Sequence, residues 1–419
     1  MNIDKASEHD QDGRDERPSN GPLTGLRILD MATIVSAPLA ATLLADYGAD
    51  VVKLELPGIG DSIRAYPPLK EGKSLWWKVT NRNKKFITLD VRKPEGLALF
   101  KQLIPKFDVL VENFRPGTLD RWGLTKEVLW SLQPRLVILR TSSFGQTGPY
   151  RHKPGFTRVF EAMGGATYIT GDPNGKPMHM GFHLADAVGG VFGALGIVSA
   201  LWKRARFPDA PGEEIDLSLT EAMLRLVEFL PIEYDQLGKI RERTGNANGY
   251  SAPTNVYRTR DGRWVSLSGG NNALFQNNCR AIGREDLLED PRFKTNVGRV
   301  EHEQLLNQIF ESWCAAHDMA DILARFEAGQ GTIAPVYSFG QIFADPQFQE
   351  RDAVTRVPDD DFGSVRMQNV VPRFVNEPGA VRSLTITTRS PTASSRAPNS
   401  RPRRSGIPMA AKYPGVAVW

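Results

Sequence analysis

The chain predicts an α/β fold in which a parallel sheet covered by helices is joined to a smaller α+β domain. Three observations carry that expectation. Short apolar stretches alternate with helix-period segments through the first third of the sequence, the order of a sheet built from βαβ units. The joining loops are short, as they are between neighbouring elements of such sheets. From Val256 the texture changes to a hairpin pattern followed by helical segments, which suits a separate unit.

The first unit opens with Leu26 to Met31 as a buried strand, Pro38 to Tyr47 as a helix and Asp50 to Leu54 as a second strand. A second cycle places a strand at Phe86 to Leu89, a helix at Glu95 to Leu103 and a strand at Asp108 to Val111. Lys126 to Leu132 is helix-like and Leu136 to Thr141 supplies another strand. A glycine-punctured region then runs from Gly155 to Asp186 and ends in the apolar segment Ala187 to Trp202, whose recurring glycines would let a helix pack closely against other backbone. Ile215 to Leu219 reads as a strand and Glu221 to Leu230 as a helix. Val256 to Leu267 reads as a hairpin around an Asp261-Gly262 turn. Helices are expected near Leu274 to Ile282, Glu303 to Ala316 and Met319 to Ala328, with extended structure returning over Val354 to Phe374.

These elements divide the chain into a leader (1–22), the first part of a large domain (23–205), a small α+β domain with its linkers (206–330), a return to the large domain (331–380) and a basic tail (381–419). The polar leader and the Ser-, Pro- and Arg-rich tail read as disordered, and they carry the charge imbalance. The 419 residues hold 52 basic and 48 acidic side chains. Residues 1–20 contain three basic and six acidic ones, and residues 381–419 seven basic and no acidic ones. The body keeps 42 of each sign, so neither nucleic acid nor an anionic membrane is expected as a partner. Cys279 and Cys314 show no paired spacing, which points to a reducing, cytoplasmic setting rather than a disulfide framework or a zinc cluster. The leader lacks the apolar core of a signal peptide, and the run Ala187 to Trp202 stops at sixteen residues, short of a membrane span.

Several chemistries are excluded by their missing residues. Gly171-Asp-Pro-Asn-Gly175-Lys176 has one residue too few for a phosphate loop and is followed by Pro177. The first βα turn carries Thr33-Ile-Val-Ser-Ala-Pro38 in place of the glycine fingerprint of a dinucleotide site. His302-Glu303 lacks the second histidine of a zincin helix, and no serine sits in a nucleophile elbow. One carboxylate stands out. Asp186 opens the apolar segment and has no Lys or Arg within nine positions before it or sixteen after it. It reads either as a helix N-cap or as a carboxylate nucleophile at a helix N-terminus, where free N–H groups would also stabilise an adjacent oxyanion.

Ordered motifs along the body bear on that choice. They are Leu29-Asp-Met-Ala-Thr-Ile-Val-Ser-Ala-Pro38, Leu43-Leu-Ala-Asp-Tyr-Gly-Ala-Asp-Val-Val-Lys-Leu-Glu55, Asn81-Arg-Asn-Lys-Lys85 with Leu89-Asp90, Val111-Glu-Asn-Phe-Arg-Pro-Gly117, Ser143-Phe-Gly-Gln-Thr-Gly-Pro149, Leu184-Ala-Asp186 and Asp216-Leu-Ser-Leu-Thr-Glu-Ala222. Through them the chain resembles the family III CoA-transferases, the CaiB/BaiF type, over about residues 22 to 375. The resemblance implies a Rossmann-like domain built from both chain ends, a small domain, and two ring-like subunits interlocked as a homodimer. It places Asp186 on the family's catalytic aspartate, which attacks an acyl-CoA thioester and passes through aspartyl anhydride and aspartyl-CoA thioester intermediates. CoA, carried as acyl-CoA, is then a substrate; no tightly bound cofactor and no metal is implied, and the acceptor is a free carboxylic acid. Succinyl-CoA or a related short-chain thioester is the expected donor.

By position the resemblance assigns CoA contacts to Val35, Ser36, Leu89, Arg92, Asn113, Phe114, Arg115, Arg121, Lys153 and Phe156, and an active-site loop to Gly269 and Gly270. By residue type alone the arginines read as solvated surface charge, Asn113 and Phe114 as a turn and a core aromatic, Lys84 and Lys85 as strand-edge charge, and the two glycines as a hairpin loop. One departure concerns Pro154-Gly-Phe156, which is followed by Thr157 and Arg158 where the family often has an aspartate. The α-methylacyl-CoA racemases resemble the chain too and form the alternative. They place a histidine at the position of Phe156, and a phenyl ring carries no proton, although His179 and His183 lie in the following segment.

Overall fold

The computed structural model describes residues 21–382. The expected leader and tail lie outside them, apart from two residues at each inner end. The described chain forms two compact units, one of residues 21–156, 185–222 and 355–382, the other of residues 157–184 and 223–354.

The first unit is built on a six-stranded parallel sheet. In chain order the strands are β1 (Arg27–Asp30), β2 (Asp50–Glu55), a two-stranded ribbon of β3 (Leu69–Lys70) and β4 (Lys73–Ser74), then β5 (Lys84–Thr88), β6 (Val109–Glu112), β7 (Val137–Ser142) and β8 (Glu213–Ser218). The sheet order is β5-β2-β1-β6-β7-β8, and every neighbouring pair is parallel. Chain order therefore reverses between β1 and β6. Crossovers on the two sides of that point lie on opposite faces of the sheet, which opens a crevice beyond the carboxyl ends of β1 and β6. Helices α1 (Ser36–Asp46), α2 (Leu75–Thr80), α3 (Pro94–Leu103), α4 (Thr118–Arg121) and α5 (Lys126–Leu132) fill most of the connections. The sheet separates two apolar layers, one around Ile28, Leu44, Val109, Leu139 and Ile197, the other around Leu29, Phe100, Leu110, Leu124 and Ile138.

Helix α8 (Leu184–Arg206) packs on the first layer. After α6 (Thr157–Met163) and α7 (Ala166–Ile169) of the second unit it is the longest helix described, 23 residues. By length and composition it could cross a membrane, which the sixteen-residue apolar run did not suggest. In the structure its glycine face is a packing surface. A Cβ on Gly190 would lie 2.7 Å from Leu39, and one on Gly193 would lie 3.0 Å from both Ala40 and Leu139. Such distances are well below normal carbon–carbon contact, so only glycine lets α8 come this near to α1 and the sheet.

The C-terminal segment belongs to the same unit. β12 (Val354–Asp359) and β13 (Gly363–Gln368) pair as a hairpin. Lys78 holds Asp359 at 2.6 Å and Asp361 at 2.7 Å, Arg82 donates to the Gln368 carbonyl at 2.5 Å, and Asn83 donates to the Ala380 carbonyl at 2.8 Å. The Tyr47 hydroxyl donates to the Pro372 carbonyl.

The second unit contains the expected hairpin, β9 (Thr254–Arg258) with β10 (Trp264–Ser268), and β11 (Ile333–Pro335) adds to β10. α9 (Leu219–Leu226) and α10 (Leu230–Leu237) lead toward it; α11 (Asn272–Ala281), α12 (Asp286–Glu289), α13 (Asn296–Glu301), α14 (Glu303–Ala315) and α15 (Met319–Ala328) follow. The core of this unit gathers Tyr257, Val265, Phe310, Ile322 and Phe326.

Three expected divisions differ from the structure. β8 falls within the segment assigned to the small domain, 206–330, yet it pairs with β7 in the large sheet, with Leu139 opposite Ile215. Residues 157–184 fall in the second unit and not the first, and residues 331–354 stay with it because β11 pairs with β10. Pairing partners distant in sequence leave no trace in local periodicity.

Candidate active site

The turn after β1 is held from several sides. Asp30 accepts the Ala32 N–H at 3.0 Å, and Lys53 donates to the Ala32 carbonyl at 2.6 Å. Asn113, just past β6, accepts the Thr33 N–H at 2.9 Å and donates to the Thr33 carbonyl at 2.8 Å. The Asp61 carboxylate takes the Ile34 N–H at 3.0 Å and 3.2 Å. Ile34 has φ of 71°, a left-handed conformation that a β-branched residue adopts only under constraint. The polar groups of three successive residues are thus fixed by side chains at the carboxyl end of the sheet.

Those side chains form a buried charge network. Lys53 is fully buried, 3.0 Å from Asp61 and 3.7 Å from Asp30, and Lys84 is fully buried, 2.9 Å from Asp30. Burial pushes the Lys84 amine down to about 8, with Asp30 pulling the other way and Lys53 adding to the fall. Lys84 is therefore not strand-edge charge; only Lys85 is exposed, paired with Asp50 at 2.9 Å. Beside the network, Glu112 closes β6 and accepts the Phe114 N–H at 2.6 Å. Burial raises the Glu112 carboxyl to about 8 against the opposing pull of Arg140.

The residues assigned to CoA fall on this frame as follows. Val35 and Ser36 start α1 and are buried, Leu89 follows β5 and Asn113, Phe114 and Arg115 follow β6, all at carboxyl ends of strands. Asn113 spends its amide on Thr33, and Phe114 stacks edge-on against Trp122 at 5.1 Å. Arg115 is half-buried. Arg92 is exposed and clamps Asp90 at 2.7 and 2.9 Å, and Arg121 is exposed with one bond to Thr118 at 2.8 Å. Lys153 lies 3.6 Å over the Tyr150 ring, and Phe156 is exposed. In the second unit the Gly269 N–H donates to the Pro253 carbonyl at 2.7 Å, and a Cβ on Gly269 would stand 2.9 Å from Pro253. Close approach, not a positive φ, is what requires glycine there. Gly270 lies against Ser251.

Asp186 is the third residue of α8 and half-buried. It is inside the first turn and does not stand at the N-cap, which corrects that reading. Carboxylates in a first turn are favoured by the helix dipole. Residues three and four apart share a helix face, so Asp186 lies on the side of α8 that carries Gly189 and Gly190. That side meets the start of α1: a Cβ on Gly189 would collide with Ser36 Oγ and Leu219 Cδ2. Within the first unit, Asp186 and the fixed turn at residues 32–36 are thus on facing sides of two helices in contact.

Neither Asp61 nor Lys53 is among the expected site residues. Lys53 had a signal, a lysine in the middle of the apolar strand Asp50–Glu55, where charge is rare unless paired. Among the described residues no cluster of three or more His, Cys, Asp or Glu side chains could hold a metal ion.

A parallel sheet of this order, with its turns fixed at the switch point and a carboxylate in the facing helix, defines an α/β enzyme site of the ligand-crevice type. The profile of CoA-transferase family III matches residues 23–385, and the chain belongs to that family. It is a CoA-transferase. It is 41% identical over 367 residues to the succinyl-CoA–D-citramalate CoA-transferase of Chloroflexus aurantiacus, covering 87% of this chain and 90% of the relative. It is 35% identical to the succinate–glutarate CoA-transferase of Agrobacterium fabrum, covering 79% and 84%. A crystal structure of a CaiB/BaiF family protein from Brucella suis superposes with a TM-score of 0.75 at 32% identity, covering 87% of this chain and 95% of that one.

Proposed function

We propose that the enzyme moves CoA from succinyl-CoA or a similar short-chain donor to a free carboxylic acid, with Asp186 as the nucleophile. The observation that carries this reading is the place of Asp186, in the first turn of α8 on the face that meets the fixed turn after β1. The names of the relatives, which pair succinyl-CoA or succinate with citramalate, malate or glutarate, support dicarboxylic substrates.

In this mechanism the Asp186 carboxylate attacks the thioester carbonyl, the C–S bond breaks, and an aspartyl anhydride and CoA thiolate form. The thiolate then attacks the aspartyl carbonyl and releases the donor acid as its carboxylate. The acceptor carboxylate displaces CoA from the resulting aspartyl thioester to give a second anhydride, and CoA attacks its acceptor carbonyl, which restores the Asp186 carboxylate. Each step exchanges one acyl bond for another, so no external energy source is consumed. The first-turn N–H groups of α8 would stabilise the oxyanions. The turn at Val35 and Ser36, the loop Asn113 to Arg115, and Leu89, Arg92, Arg121, Lys153 and Phe156 are assigned to CoA, and Gly269 and Gly270 to a loop over the site. The fixed turn suits a binding role because its backbone geometry is set before ligand arrives.

We assign the enzyme to the cytoplasm, with buried, unlinked Cys279 and Cys314 in support, and to a homodimer. Val191, Leu195, Val198 and Trp202 form an exposed apolar stripe along α8, a surface that suits a second copy. No observation favours the racemase alternative, since Phe156 supplies no base. The test is a mass-spectrometric screen of CoA donors against mono- and dicarboxylates. Transfer from succinyl-CoA to a dicarboxylate is expected; α-proton exchange without any transfer would overturn the proposal.

A further inference from the structure

Among the described residues six non-glycine residues have a positive φ, and Ile34, at 71°, is the only β-branched one. Branching at Cβ makes this conformation costly, so the fold has to hold it. One part of the hold is packing, since Ile34 lies against the cluster of Val35, Ile63, Trp77 and Phe86. The other is a carboxylate 27 residues away: Asp61 turns both oxygens to the Ile34 N–H, at 3.0 and 3.2 Å.

Asp61 is itself braced. Its side chain is fully buried 3.0 Å from Lys53, and Oδ1 also accepts the Ile63 N–H at 3.1 Å. Its own N–H donates to Glu55 Oε1 at 2.8 Å, and Arg64 clamps Glu55 through Nε at 2.9 Å and Nη2 at 2.5 Å. Lys53 closes a ring, because the ammonium that faces Asp61 also donates to the Ala32 carbonyl at 2.6 Å. Burial works to lower the Lys53 amine, but Asp30 and Asp61 hold it above its ordinary value, so it stays charged. A buried ion pair adds little net stability over apolar residues of the same volume. What this one supplies is direction, a charged acceptor fixed at a single strained N–H. All of these groups belong to the first unit.

We infer that Asp61, held by Lys53, is a positioning residue for CoA: it keeps Ile34 left-handed and so sets the direction of Val35 and Ser36. The inference rests on the transferase reading, which assigns Val35 and Ser36 to CoA, and adds to it the residue that presents the turn to the ligand. Without the carboxylate the turn relaxes toward negative φ, and CoA binds only the fraction of molecules that regain the bound geometry.

The test is a double-substitution cycle in the full chain with CoA itself as the probe, read as Kd by calorimetry. Asp61→Asn keeps the size of the side chain and removes its charge; it is expected to weaken CoA binding roughly 5- to 100-fold, the range that left-handed strain gives when converted to a population. Glycine enters the left-handed region freely, so adding Ile34→Gly should recover most of that loss. A purely structural role for Asp61 predicts the opposite sign, because glycine also removes the Ile34 side chain from its apolar cluster and the two losses would add. Should Asp61→Asn not fold alone, folding and CoA binding regained in the double variant carry the same prediction. Asp61→Asn that binds CoA like the wild type, or a double variant that binds no better than Asp61→Asn, would overturn this inference alone. Wild-type enzyme that binds no CoA would overturn the transferase reading and this inference with it.

Discussion

Asn113 grips Thr33 with both ends of its amide, accepting the N–H at 2.9 Å and donating to the carbonyl at 2.8 Å. The pair bridges the turn after β1 and the turn after β6, the two sides of the point where strand order reverses. Asn113→Ala would leave both Thr33 groups without this partner, at a cost of about 1–3 kcal/mol for each group that stays dry. We expect KM for acyl-CoA to rise several-fold with a smaller effect on kcat. Steady-state kinetics with varied donor checks this; an unchanged KM would mean that the bridge does not shape the CoA site.

Gly189 has no room for a side chain, because a Cβ there collides with Ser36 Oγ and Leu219 Cδ2. Gly189→Ala should destabilise the fold by about 1–3 kcal/mol through overpacking and should reduce kcat by moving the first turn of α8. Urea denaturation and initial rates read the two effects separately. Full activity at wild-type stability would show that α1 and α8 are not held together as described.

The Glu112 carboxyl gives a pH signature. Burial lifts it from 4.5 to about 8, so the folded state binds a proton that the unfolded state has released across that window. Its contribution to stability is complete below about pH 4.5 and is lost as pH rises toward 8. Glu112→Gln mimics the protonated group and should remove this slope, leaving the variant relatively more stable than wild type at pH 8 than at pH 5. Lys84, lowered to about 8, acts in a different window: its contribution grows between about pH 8 and 10.5. Denaturation at a series of pH values decides; parallel curves for wild type and Glu112→Gln would contradict the assignment.

The exposed stripe on α8 bears on assembly. Trp202→Glu and Leu195→Glu place charge on the apolar face, at positions that are 66% and 58% exposed in the single chain. If a second copy covers that face, these variants should shift the enzyme from dimer to monomer in light scattering. A wild-type monomer, or a variant that stays dimeric, would remove the stripe from the interface.

Much of the large sheet is legible in the sequence because its strands are short apolar runs separated by amphipathic helices. Arg27–Asp30, Asp50–Glu55 and Val137–Ser142 lie within one or two residues of their expected positions, and Lys126–Leu132 and Met319–Ala328 coincide with theirs. What local pattern does not carry is long-range pairing. β8 joins β7 across more than seventy residues, and residues 157–184 leave the first unit although they sit between two of its segments. The site was legible in part. Asp186 was conspicuous because its neighbourhood lacks cations, but its place at the third helical position was not. The network of Asp30, Lys53, Asp61 and Lys84 is not legible as a network, because Lys53 apart each residue alone looks like surface charge, and only the fold brings the four together.

The central claim is that Asp186 becomes covalently acylated during turnover. Wild-type enzyme incubated with its acyl-CoA donor and quenched with hydroxylamine or borohydride should carry a modification at Asp186, located by peptide mass spectrometry. Asp186→Ala should carry none and should transfer no CoA while still binding it. An unmodified Asp186 in enzyme that is turning over, or transfer by Asp186→Ala, would contradict the account.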